Sequence, residues 1–217
     1  MCPAFNLNHQ KLAADPRFTE IARELSVLSP IDSRDAFNCY CRTACRLWAS
    51  QFSRKIGQTS AQFTDLLSRI EGGREGVIQT SWGGVVITLH EHPRVEKYLV
   101  VRQGGYLALE MHEQKDERLQ VTEGAGLILW RRASDRALTV EALSPAAAFH
   151  LEPGMEHCLI GTENLLVFER SIDPKGMDQD LIFIYTPDDV AYAEEETSNA
   201  QRPTSNVERS HPAPNSP

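Results

Sequence analysis

Glu110, His112, Glu117 and His157 are the side chains whose types and spacing best suit chemistry at a single point. In the segment GGYLALEMHEQKDERLQVTEG, a strand reading puts Ala108, Glu110 and His112 on one face and Leu107, Leu109 and Met111 on the other. A carboxylate and an imidazole two residues apart on one strand can reach the same ion. Glu117 follows at the start of the next strand, on the face of Leu119 and Val121, and the turn EPGMEH delivers His157. Two carboxylates and two imidazoles form a mixed nitrogen and oxygen donor set. That set suits zinc, iron, manganese or nickel and selects weakly among them. Lys97, Lys115 and Arg170 can hold an anionic group if they face the same space, and are solvated strand charges if they do not. Glu110 and Glu117 also have a purely structural reading, as edge carboxylates paired with Arg118, Arg131 or Arg132.

A second constellation competes. His90-Glu91-His92 places two imidazoles two residues apart, with Gly84 before them and Glu96 after. Pro93 counts against it, because a proline removes a ladder donor from a central strand.

The elements that must position these residues fall into three zones. Up to about residue 75 the periodicity is helical. Asp15-Pro16 starts an element carrying Phe18, Ile21, Leu25 and Leu28, and Pro30 closes it. Asp32 is expected to cap a second helix, with Asp35 at the capping-box position, Phe37, Cys41, Ala44, Trp48 and Phe52 as its stripe, and Gly57 at its end. Thr59 or Ser60 starts a third, which Gly72 and Gly73 terminate. From 76 to 190 about ten short apolar or alternating runs recur, separated by Gly, Pro, Asn and Asp, which predicts a mainly β antiparallel sandwich or barrel. Runs such as GLILW are apolar on both faces, so the amphipathic helices, or a second copy of the chain, are expected to cover part of the sheet. Residues 191–217 are rich in proline and poor in large apolar residues, and are expected to be disordered.

Composition removes several function classes. The formal net charge of −8 disfavours binding to nucleic acid or to an anionic membrane, both of which demand clustered cations. No run reaches the ~20 apolar residues of a spanning helix, and the first residues lack a secretory pattern, so a cytoplasmic location is expected. Five cysteines, with no CxxC pair, indicate neither a disulfide framework nor a zinc ribbon.

On these motifs the chain resembles the cupin superfamily. That family's first motif runs Gly, five residues, His-x-His, three or four residues, Glu, six residues, Gly. Here Gly104, Glu110-x-His112, Glu117 and Gly124 keep every spacing, with Glu110 in place of the first His. Gly154 and His157 match the second motif, whose proline falls one place late at Pro153 and whose later Asn is Gly161 here. From about Trp82 to Tyr185 the chain is most similar to the cupin domain of type II mannose-6-phosphate isomerases, through Trp82-Gly83, VEKYLVV and LALEMHEQKDERL. In that likeness Lys115 stands where the family has an arginine, keeping the charge without the planar fork. The resemblance implies a single cupin jelly roll with an added N-terminal helical segment. It implies a divalent metal held by Glu110, His112, Glu117 and His157, with catalysis by Glu117 and Lys115. It also implies a small polar or anionic substrate such as a sugar phosphate, bound by Lys97, Lys115 and Arg170. A non-catalytic small-molecule-binding or regulatory cupin is the alternative reading.

Overall fold

The computed structural model describes residues 4–52 and 59–188. Cys2, Gly57 and the tail, and with them the expected tail disorder, lie outside the described residues.

The chain opens with a short strand β1 (Asn6–Asn8) and one helical turn α1 (Gln10–Ala13), neither of which the apolar periodicity announces. Asp15 accepts the backbone N–H of Arg17 and so caps a 3-10 turn over Pro16–Phe18, which runs into α2 (Thr19–Ser26). Helix α3 (Arg34–Phe52) buries Phe37, Cys41, Ala44 and Trp48 at helical spacing. Its cap is Ser33 and not Asp32, because the Ser33 hydroxyl accepts from the Ala36 N–H, three residues into the helix. Helix α4 (Ala61–Glu71) is capped by Ser60, which accepts from the Phe63 N–H.

Eleven strands follow in two stacked sheets: β2 (Val77–Thr80), β3 (Gly83–Glu91), β4 (Arg94–Val101), β5 (Leu109–His112), β6 (Asp116–Glu123), β7 (Gly126–Arg131), β8 (Ala137–Leu143), β9 (Ala148–Leu151), β10 (Glu156–Gly161), β11 (Leu165–Ile172) and β12 (Leu181–Tyr185). One sheet has the order β1-β8-β7-β10-β5-β12 and the other β2-β3-β4-β11-β6-β9. All pairings are antiparallel except β1 with β8. This is a mainly β jelly-roll architecture with an N-terminal helical segment. β2 is a strand that the apolar runs did not mark.

Period-two alternation divides the apolar residues into three cores. The outward face of the first sheet, with Leu127, Leu129, Leu138, Val140, Cys158 and Ile160, packs against Phe18, Ile21, Leu25, Phe37, Cys41 and Trp48 of the helices. The outward face of the second sheet, with Val86, Val100 and Leu166, is covered by Phe63, Leu66 and Ile70 of α4. Between the sheets lie Leu99, Val101, Leu119, Val121, Ile128, Leu159, Leu165 and Val167. GLILW is apolar on both faces for this reason. Leu127 and Leu129 meet helices while Ile128 points inward, and each such buried side chain contributes about 1.5–3 kcal/mol.

Candidate functional site

The inward faces change character along each strand. On β4 the inward series is Lys97, Leu99, Val101, and on β11, read backward, Glu169, Val167, Leu165. On β6 it is Glu117, Leu119, Val121, and on β10 it is His157, Leu159. One end of the space between the sheets is therefore an apolar plug and the other a buried polar cluster. Pairing fixes the cluster: Glu169 lies opposite Lys97, and His157 opposite Glu110.

The four predicted donors meet there. His157 Nε2 lies 3.3 Å from Glu117 Oε2 and 3.9 Å from Glu110 Oε1, and His112 Nε2 lies 3.7 Å from Glu117 Oε1. Both imidazoles are held from behind. His112 Nδ1 donates to Asp180 Oδ1 at 2.8 Å, and His157 Nδ1 donates to the Met155 carbonyl at 3.2 Å. Those partners only accept, so both Nδ1 atoms carry hydrogen and both Nε2 atoms are turned toward Glu117. Gly154, at φ +80°, makes the turn that delivers His157, and its N–H donates to the His112 carbonyl at 2.7 Å.

Lys115 enters from the loop before β6. Only 1% exposed, its ammonium sits among Glu117 Oε1 at 2.5 Å, Asp178 Oδ1 at 2.6 Å and Glu169 Oε1 at 2.8 Å. Lys97 meets Asp178 Oδ2 at 2.7 Å and Glu169 Oε2 at 3.4 Å. Asp180 also accepts the backbone N–H groups of Gln114 and Lys115, which fixes the loop that carries the lysine.

Burial and mutual charge set the protonation. Burial, with the Glu117 charge in support, lifts Glu110 to about 8, so at neutral pH this carboxyl mostly keeps its proton. Burial acts the same way on Glu117, but Lys115, His157, His112 and Lys97 together outweigh it and hold Glu117 at about 2. Burial also opposes the charge of Asp178, and Lys97 and Lys115 overcome it, keeping that carboxyl well below its usual range. For Lys115 the three carboxylates overcome burial and hold the ammonium well above its ordinary value. Burial lowers His157.

Other expected residues lie elsewhere. Arg170 is a correction: it follows the inward Glu169, so alternation turns it outward, where it pairs with Glu96 at 3.2 Å and lies over the Phe168 ring. His90 and His92 are exposed at the β3–β4 hairpin, on the chain's surface and not in the cluster. His150 pairs with Asp116 at 2.7 Å. Sequence reasoning missed Glu169, Asp178 and Asp180. Glu169 had a signal, a charge at an inward position of the otherwise apolar LLVFER run. The two aspartates stand in the loop IDPKGMDQD, where acidic residues and glycine read as a turn. A groove of about 820 Å³ opens among Phe18, Trp48, Phe63, Glu123 and Glu163, and no predicted site residue lines it.

As the side chains stand, no group of three or more His, Cys, Asp or Glu among the described residues is disposed to hold a metal ion. The chemistry of the donors nevertheless suits one, since two anchored imidazoles present Nε2 to a shared carboxylate.

No family model and no curated relative matches the chain. Among solved structures it is similar to the capsular polysaccharide assembling protein CapF of Staphylococcus aureus, at 16% identity and a TM-score of 0.45, over 51% of this chain and 34% of that one. It is similar to oxalate decarboxylase of Lactobacillus farciminis, at 16% identity and a TM-score of 0.42, over 49% and 32%. It is also similar to the oxalate decarboxylase of Bacillus subtilis, which has Mn(II) centres, at 18% identity and a TM-score of 0.44, over 53% and 31%. The chain spans about a third of the length of these proteins. The likenesses say nothing of what this chain binds. No helix among the described residues is long and apolar enough to cross a membrane.

Proposed function

We propose that this is a cupin-type protein whose polar barrel end binds a small anionic molecule beside a divalent cation and moves a proton on it. The observation that carries the reading is the pair of imidazoles, His112 and His157, tied back at Nδ1 with Nε2 toward Glu117. Glu110, His112, Glu117 and His157 would hold the ion. When bound, a divalent ion supplies Lewis acidity to a substrate oxygen. Glu117 is the group proposed to move the proton, because it lies between the two imidazoles and Lys115 at the centre of the cluster. Lys115 and Lys97 are proposed to receive the anionic group. Burial of these residues excludes bulk water and strengthens each of these contacts. A sugar-phosphate isomerase of the mannose-6-phosphate kind is the specific activity suggested by the sequence motifs alone.

A second reading, a metal-free binding or regulatory protein, is favoured by one specific observation. The Lys115 ammonium already contacts Glu117, Glu169 and Asp178, so the cluster carries a cation of its own.

Elemental analysis of protein purified without a metal-chelating tag separates the two. About one equivalent of a transition metal, lost in His112→Ala and kept in His90→Ala, is expected for the metal-dependent reading. Metal-free protein that is thermally stabilised by a small anion would replace it with the second.

A further inference from the structure

The carboxylates of the polar cluster are not held alike. Glu117 and Glu169 project from strands and their side chains are 5% and 2% exposed, whereas Asp178 hangs from the loop between β11 and β12 with its side chain 25% exposed. Its two oxygens are shared out, Oδ1 to Lys115 at 2.6 Å and Oδ2 to Lys97 at 2.7 Å, as a bound carboxylate would divide itself between two ammonium groups. Met177 and Asp178 reach that position with φ of +47° and +61°, a conformation an aspartate tolerates better than a methionine, and the Asp173 carboxylate holds the loop by accepting the N–H groups of Gly176 and Asp178. Each ammonium also has a carboxylate partner other than Asp178. Without it Lys115 keeps Glu117 and Glu169, and Lys97 keeps Glu169.

We propose that Lys97 and Lys115 form a subsite for the carboxylate group of a small-molecule ligand, and that Asp178 fills it in the free protein as a displaceable stand-in. The proposal rests on the reading that this barrel end binds a small anion, and adds the ligand class and the group that leaves. The charge around the subsite selects the class. Lys115 already meets Glu117 and Glu169, and Lys97 meets Glu169, so a ligand group carrying one negative charge replaces Asp178 like for like. A phosphate dianion adds a further charge beside those carboxylates and is disfavoured. Entry of the ligand carboxylate releases the Asp173–Asp180 loop from the lysines, while Asp180 keeps its hold on His112 and the backbone before β6.

Asp178→Gly tests this in the full chain. The substitution vacates an acetate-sized volume, and glycine accepts the +61° φ without strain. Acetate is the probe, with acetamide, inorganic phosphate and chloride at matched ionic strength as comparisons, read by thermal shift and calorimetry. Acetate is expected to bind Asp178→Gly at least tenfold more tightly than wild type, with acetamide inert and phosphate weaker than acetate. Asp178→Asn, which keeps the shape and tolerates the backbone conformation, serves if the glycine variant unfolds, and should also bind acetate more tightly than wild type. Equal acetate affinity in variant and wild type, binding of acetamide, or a preference for phosphate each overturns the proposal. Metal content, measured on the same preparations, reports separately on the Glu110, His112, Glu117 and His157 set. Loss of the acetate effect with metal retained therefore sinks the carboxylate subsite alone.

Discussion

Replacing Lys115 with methionine keeps the volume of the side chain and removes its charge. Three carboxylate oxygens stand within 2.8 Å of that ammonium. Asp178 and Glu169 retain Lys97, whereas Glu117 loses its only ammonium contact within 4 Å among the described residues and is left with the imidazoles. Removing one partner from a buried ion pair costs about 3–5 kcal/mol, a large share of the ~5–15 kcal/mol that holds an ordinary domain together. The pH dependence identifies the cause. In the wild type Glu117 titrates at about 2, below the ordinary 4.5, so its contribution is complete above pH 4.5 and is lost as pH falls through 2. Lys115 is held above 10.5, so its own charge does not change between pH 4 and 8. In Lys115→Met burial acts on Glu117 unopposed by that ammonium, and protonation relieves it. Urea unfolding should therefore show the full deficit at pH 7 to 8 and a smaller one near pH 4.5. Arg170→Met, at an exposed pair, should cost under about 1 kcal/mol. A Lys115→Met deficit below about 1 kcal/mol, or one independent of pH, would refute the buried ion cluster.

His9, buried beside the Tyr40 hydroxyl at 2.9 Å, is lowered by burial from 6.5 to about 4. It is neutral in the fold and protonates more readily once unfolded, so its contribution is present above pH 6.5 and lost as pH falls through 4. The difference in urea stability between wild type and His9→Gln should shift by up to about 3 kcal/mol between pH 7 and pH 4. Gly124 has φ +79° and a Cβ there would meet the Asn164 carbonyl oxygen at 1.8 Å, so Gly124→Ala should lower stability by more than about 2 kcal/mol in thermal unfolding. Ser33→Ala should cost about 1 kcal/mol through the cap of α3 while Asp32→Ala costs a few tenths, and the reverse order in denaturant titration would restore Asp32 as the cap.

Much of this architecture was legible because period-two alternation and helical spacing leave different marks. The inward placement of Glu110, His112, Glu117 and His157 follows from parity along β5 and β6 and from the Pro153-Gly154 turn. Parity would also have excluded Arg170, since its neighbour Glu169 lies on the face of Val167 and Leu165. The short β1 and α1 were hidden because three or four residues hold too few apolar positions to show a period. The choice of Ser33 over Asp32 turns on backbone geometry at adjacent residues, both of them good caps. Asp178 and Asp180 were invisible for a deeper reason. A loop aspartate reads as turn chemistry until tertiary structure sets two lysines and a histidine opposite it.

The central claim is that His112 and His157 present Nε2 to one shared carboxylate site. Long-range ¹H–¹⁵N correlation of the imidazole nitrogens during a Zn²⁺ titration tests it most directly. Both Nδ1 atoms should be protonated before metal is added, and both Nε2 resonances should move together as Zn²⁺ binds, with His90 and His92 unmoved. Nε2-protonated rings that hold their shifts, or a response confined to His90 and His92, would contradict it.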